Sequence, residues 1–257
     1  MDCYADFAGL AQDLADAVRP VVLRCFRSGL GFEIKADQSP VTVADREAET
    51  AMRRMIEAAY PEHGIFGEEH GLTRADAAFV WVLDPIDGTK AFVTGKPLFG
   101  TLIALLHNGR PVVGVIDMPA LNERWVGVAG RPTLFNEHPV RVRPCGGVAG
   151  AWLYATSPQM FQGADASAFE RLRSRCYAAV YGADCYAYGL LSCGWVDLVC
   201  EASTQPYDYC ALVPVIEGAG GTITDWQGKP LGLGSDGRVL AAGDPVLHAT
   251  AQRALAG

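Results

Sequence analysis

The segment Val80 to Thr89 reads V-W-V-L-D-P-I-D-G-T: an apolar run stops abruptly at two aspartates three residues apart with a proline between them. A short run rich in Val and Trp, bounded by Pro and Gly, reads as a buried strand. Pro85 holds Asp84 extended and Gly88 permits a sharp turn, so Asp84 and Asp87 can converge on one point. Hard divalent cations require such a convergence of oxygens. The amides of Gly88 and Thr89, opening a helix through Ala91 and Phe92, would aim donors and a positive dipole end at a phosphate. Alone, the segment could equally be a polar turn capping a strand.

A second motif separates these readings. G-E-E-H-G occupies residues 67–71, directly after Ile65-Phe66. Two glutamates beside two aspartates would repel and titrate upward without a cation, so together the motifs argue for metal. All the candidate ligands are hard oxygens, and no histidine or cysteine sits at metal-ligand spacing, which favours magnesium over zinc. His70 lacks a spaced partner and reads as a solvated loop residue.

Charge points the same way. With 21 basic against 29 acidic residues, the formal charge of −8 would repel nucleic acids and anionic membranes. Neither is expected as a partner, and a phosphate substrate could approach only where bound cations reverse the sign locally. The eight cysteines include no C-x-x-C pair. Cys185, Cys193, Cys200 and Cys210 lie among apolar neighbours and read as buried free thiols. No signal-like segment follows a basic start and no apolar run approaches the roughly 18 to 20 residues that span a bilayer, so a soluble cytoplasmic protein is expected. No Cys-x5-Arg loop is present, which sets aside a thiol-dependent phosphatase.

With 257 residues, half of them apolar, the chain can build one large domain or two lobes. Phe7, Leu10, Leu14, Val18, Val21 and Val22 define an amphipathic helix with a kink or break at Pro20, followed by a loop around Asp37 to Pro40 and a helix from Asp45 to Tyr60. Strands are expected at Phe79–Leu83, Thr101–Leu106 and Val112–Ile116, the last two joined by an Asn108-Gly109 hairpin. Arg124–Val128 and Pro139–Arg143 follow. The boundary falls near residue 145, giving lobes 1–145 and 146–257. In the second, Ala151–Ala155, Tyr177–Val180, Val196–Glu201 and Thr222–Asp225 read as strands, and Tyr186–Trp195 and Asp208–Gly218 as helices.

The G-E-E of 67–69, the D-P-I-D-G-T of 84–89, and Y-D at 207–208 with E-G-A-G-G at 217–221 together resemble the inositol monophosphatase family across nearly the whole chain. That resemblance implies an α+β fold, the layered αβαβα sandwich of the inositol monophosphatase/fructose-1,6-bisphosphatase type. It implies two or three Mg2+ ions: Glu68, Asp84 and the Ile86 carbonyl would hold one, and Asp84, Asp87 and Asp208 a second. An attacking water would be helped by Thr89, polarised by Asp45, with Glu69 supporting the water or a third metal. Read alone, Asp208 could be a helix N-cap and Asp45 a surface helix residue. The family is commonly dimeric, so a homodimer is expected.

Within the family, D-P-I-D-G-T-K-A-F-V-T-G-K-P-L-F-G, E-R-W-V-G-V and G-A-D-C-Y-A-Y-G-L-L look most like the histidinol-phosphate phosphatases; inositol enzymes usually carry asparagine at the position of Ala91. A cationic substrate calls for acidic pocket residues, which assigns Asp184 and Glu201 to substrate binding beside Asp87, Gly88, Thr89 and Asp208. Asp184 could instead satisfy local amides, and Glu201 could pair with an arginine. Tyr186, Tyr188 and Trp195 could line an imidazole site, although aromatics at that spacing usually belong to a core. The alternatives are an inositol-1-monophosphatase, a phosphatase of sugar bisphosphates or nucleotide 3′-phosphates, or a non-catalytic metal-binding protein.

Overall fold

A computed structural model describes residues 3–29, 31, 33–34 and 40–257; the expected loop residues 37–39 lie outside them. Helix α1 (Cys3–Cys25) runs through Pro20 without ending. Proline costs one intrahelical bond there, and the buried stripe Leu14, Ala15, Val18 and Val22 anchors the helix on both sides. A two-residue pair, β1 (Glu33–Ile34) with β2 (Pro40–Val41), precedes α2 (Val43–Ala59), which starts at a Thr42 capping box.

The first sheet collects β3 (Gly64–Gly67), β4 (Gly71–Thr73), β5 (Phe79–Asp87), β6 (Gly100–His107), β7 (Arg110–Met118), β8 (Glu123–Val128), β9 (Leu134–Phe135) and β10 (His138–Pro139). Its order is β10-β9-β8-β7-β6-β5-β3-β4, antiparallel except for the parallel pair β3/β5. α3 (Thr89–Val93) follows β5. The expected hairpin closes with Asn108 and Gly109 at positive φ, 48° and 80°, as a two-residue primed turn requires. No strand forms at 140–143. Val142 there donates instead to the Ala219 carbonyl, and Arg143 is held by Asp197 at 2.7 Å.

The second sheet holds β11 (Trp152–Ala155), β12 (Ala178–Tyr181), β13 (Leu198–Glu201), β14 (Thr222–Thr224) and β15 (Val239–Ala242) in the order β12-β11-β13-β15-β14. Its helices are α4 (Ala164–Arg173), α5 (Tyr186–Ser192), α6 (Pro206–Tyr209), α7 (Leu212–Gly218) and α8 (Pro245–Ala256). The expected single helix from Asp208 to Gly218 is two. Pro214 cannot donate to the carbonyl of Cys210, and its ring crowds that group, so the break falls between α6 and α7.

Three apolar clusters define the layers. α1 and α2 pack on one face of the first sheet through Trp81, Leu83 and Ile103. The opposite face, with Val80, Val82 and Leu102, meets α5 to α7 and the inner residues Val199, Val239 and Ala241 of the second sheet. α4 and α8 cover its outer face through Leu153, Leu198 and Leu240. The result is the expected α+β, αβαβα sandwich. Strands apolar on both faces explain the unbroken hydrophobic runs of β5 to β7.

Candidate active site

β5 alternates Val80 and Val82 toward the central helices and Trp81 and Leu83 toward α1 and α2. On a regular strand, Asp84 and Asp87, an odd number of residues apart, would face opposite sides. The pairing shifts between them: Asp84 opposes Leu102, whereas Asp87 opposes Gly100, so the stretch through Pro85 and Ile86 carries an extra residue. This bulge turns both carboxylates to one side, and it is where a proline can sit in an interior strand. The Pro85 carbonyl accepts from Thr101 Oγ1 at 2.8 Å. The Ile86 amide donates to Asp84 Oδ1 at 3.0 Å, so the bulge keeps its polar groups satisfied. Gly88, at φ 82°, opens α3 as expected; a Cβ there would be strained by that φ and would sit 3.1 Å from the Leu98 carbonyl.

β3 runs parallel to β5, so the Glu68-Glu69 turn leaves the sheet beside the same strand end, with the Glu68 amide donating to the Leu83 carbonyl at 3.2 Å. α6 packs over β5 and β6 from the far side and brings in Asp208. Asp84, Asp87 and Asp208 place carboxylate oxygens within 4.8 Å of one another. Asp84 is buried; the other two are half-buried.

This crowding sets the electrostatics. Burial, then Glu68, Asp87 and Asp208, hold Asp84 far above the usual carboxylate range. Burial and then Asp208 push Asp87 up to about 7, although the Cys185 amide, 2.7 Å from its Oδ2, works the other way. Burial raises Asp208 to about 7 against the Gln205 amide, which donates to it at 2.7 Å. Among the described residues no lysine or arginine forms an ion pair with any of the three. A buried cluster of hard oxygens without a neutralising side chain fits a divalent cation. Asp84, Asp87 and Asp208 would hold it, with Glu68 adjoining Asp84 and the Ile86 carbonyl at the bulge.

The remaining candidates are placed with less uniformity. Thr89 Oγ1 donates to the Ile86 carbonyl at 3.0 Å. Asp45 Oδ2 accepts from Thr42 N and Oγ1 at 2.8 and 2.6 Å, and among the described residues no hydrogen bond joins Asp45 to Thr89. Burial, offset by Thr42 and reinforced by Glu69 and Glu68, lifts Asp45 to about 6. Asp45 therefore lies inside the field of the cluster while also capping α2. Asp184, at φ 49°, comes within 3.3 Å of the space above Gly88. Burial, then Asp87 and Glu201, raise it to about 8 against Lys96 and Lys90.

Among the described residues Glu201 pairs with no arginine. Its Oε1 accepts from Thr156 N and Oγ1 at 3.0 and 2.6 Å, and its Oε2 from the buried Tyr188 hydroxyl at 2.9 Å. Tyr188 thus belongs to the core, Tyr186 packs edge-on against Trp125, and Trp195 is exposed. His70 is exposed, 3.1 Å from Thr50 Oγ1. Cys185, Cys193, Cys200 and Cys210 are free thiols. Sequence reading passed over Thr101 and Thr156, whose residue types are ordinary and whose contacts span 16 and 45 positions.

The sequence pattern of the inositol monophosphatase family matches residues 4–256. The bifunctional phosphatase IMPL2, chloroplastic, of Arabidopsis thaliana is 48% identical over 97% of this chain and 75% of its own length. A histidinol-phosphatase of Chlorobaculum parvum is 32% identical over 90% of each. A solved inositol monophosphatase from Zymomonas mobilis superposes with a TM-score of 0.92 at 48% identity, covering 100% of both chains. The chain belongs to the inositol monophosphatase family, a family of metal-dependent phosphatases. No helix among the described residues is long and apolar enough to cross a membrane.

Proposed function

We propose that this phosphatase is a magnesium-dependent phosphomonoesterase acting on histidinol phosphate. The observation carrying the substrate assignment is acidic excess: Asp184 and Glu201 stand beside the metal-type cluster, where Glu201 helps to raise Asp184 and Asp208, beyond the oxygens a cation needs. A substrate bearing an ammonium and an imidazole would relieve that excess, whereas a neutral polyol would not. The name of the Chlorobaculum relative, a histidinol-phosphatase, agrees with this reading.

Bound magnesium would neutralise phosphate oxygens and lower the pKa of water. The chain's own residues do the positioning. Thr89, whose hydroxyl donates to the Ile86 carbonyl, keeps its oxygen lone pairs for a water that would bind in the cluster, and Glu69 would support the same water. Asp45, with its raised pKa, is suited to holding a proton near neutral pH. Gly88 and Thr89 form the turn on which the phosphate rests. Asp184 faces the organic portion, and Tyr188 and Thr156 fix Glu201 behind it.

The test is phosphate release, with and without Mg2+, from histidinol phosphate, inositol 1-phosphate, fructose 1,6-bisphosphate and a nucleotide 3′-phosphate. A magnesium-dependent preference for histidinol phosphate is expected. Preference for inositol 1-phosphate, which the Zymomonas likeness favours, would overturn the cationic-pocket assignment and leave the metal site standing.

A further inference from the structure

Glu49 lies one helical turn beyond Asp45 on α2 and is wholly buried, where a carboxylate survives only if paired. Its oxygens are taken by the backbone that carries Glu68 and Glu69. Oε2 accepts from the Glu69 amide at 2.7 Å, and Oε1 from the His70 amide at 3.2 Å and Arg53 Nε at 2.7 Å. Arg53, one turn further along, also donates Nη2 to the Gly71 carbonyl. The pair therefore grips the chain at three successive residues. Gly67 belongs to the same fitting: a Cβ on it would fall 2.0 Å from Glu49 Oε1, so the glycine before the two glutamates leaves the space the carboxylate fills. α2 is itself fixed in the core by Ala48, Met52 and Ile56, so the grip ties the turn to a rigid element.

We propose that Glu49, braced by Arg53 and admitted by Gly67, is a positioning residue that holds the 68–69 turn against the end of β5 and thereby sets the protein's affinity for its divalent cation. The inference rests on reading the carboxylate cluster as a metal site.

Three substitutions test it. Glu49→Gln keeps volume and an acceptor but removes the charge paired with Arg53. Gly67→Ala displaces the same carboxylate from the other side. Arg53→Lys keeps a cation but cannot span Glu49 and the Gly71 carbonyl together. Residues that orient ligands from behind typically alter metal affinity about 10- to 100-fold. Calorimetric titration with Mg2+ should accordingly weaken by about tenfold or more in the first two variants and by less in Arg53→Lys. Phosphate release at saturating Mg2+ should stay within about threefold, and in the metal-free protein the Glu69 and His70 amides should exchange with solvent at least about tenfold faster. Lowered melting temperature with wild-type Mg2+ affinity and unchanged exchange at these amides would make Glu49 merely structural and overturn the proposal. Failure of the wild-type protein to bind Mg2+ would overturn the metal reading on which it rests.

Discussion

Neutralising one cluster carboxylate should make the metal-free protein more stable while abolishing its activity. The perturbation is Asp84→Asn, which keeps an oxygen to accept the Ile86 amide now 3.0 Å from Asp84 Oδ1. With cluster oxygens within 4.8 Å of one another, Coulomb's law at an effective dielectric near 20 gives ~3.5 kcal/mol of repulsion per fully ionised pair. The native state bears that cost as repulsion, or avoids it by taking up a proton that the unfolded chain would not bind at pH 8. A group whose folded pKa is raised contributes stability below its unfolded pKa, near 3.8, and loses it as pH rises through the folded value. Asp87 and Asp208 pass through theirs at about 7. Allowing for partial protonation, a gain of about 2 kcal/mol is expected at pH 8, or roughly 4 to 8 °C in melting temperature for a chain of this size. The assay is thermal unfolding followed by circular dichroism in excess chelator, with the difference expected to shrink at pH 4.5. Adding Mg2+ should raise the wild-type midpoint and leave the variant's nearly unchanged. A variant that melts at or below wild type at pH 8, or whose advantage is as large at pH 4.5, would refute the argument.

Mg2+ must displace protons from Asp87 and Asp208, so its affinity should rise from pH 6 to pH 8 and level off above, with proton release on binding measurable in buffers of different ionisation enthalpy. Asp184→Asn should raise KM for histidinol phosphate about tenfold, corresponding to ~1.4 kcal/mol, and change turnover of a neutral substrate little; an equal effect on both would assign Asp184 to the phosphate end. Tyr188→Phe removes the donor to Glu201 Oε2 and should cost about 1 to 3 kcal/mol. That loss should shrink as the pH is lowered through the raised pKa of Glu201, where the carboxyl can carry its own proton, and melting curves followed across the acid range check it.

Much of this site was legible because its groups are local and their residue types rarely occur together by accident. Asp84, Asp87 and Gly88 sit within five residues on a strand end that composition alone marks as buried, and the motifs at 67–71 and 207–221 add spacing that a turn would not need. Other features were not legible. Pro214 lay inside an apolar run read as one helix, where its missing amide splits α6 from α7. β15 and α8, from Val239 to Ala256, carry ordinary residues and no motif, so they were not anticipated. The strand expected at Pro139–Arg143 has the right alternation, but the Val140 amide donates to the Thr133 carbonyl and the Val142 amide to the Ala219 carbonyl just past α7, instead of forming a sheet edge. Asp45 and Glu49, both acidic and on one helix, look alike in sequence. One caps α2 through Thr42 and the other grips the turn at Glu69 and His70.

The sequence by itself determined which residue types stand at the ends of which strands, and therefore the chemistry available: hard oxygens, a phosphate-sized turn and no competing thiol or histidine ligand set. Tertiary structure alone decided how α6 carries Asp208, which read by itself could be a helix N-cap, to within 4.8 Å of Asp84 and Asp87, that a bulge at Pro85 turns those two to one side, and that Glu201 is anchored by Thr156 and Tyr188. The physical reason is that periodicity and propensity act over a few residues, whereas the raised pKa of a carboxyl depends on which charges and how little water lie within a few ångströms, and those neighbours come from every layer of the sandwich.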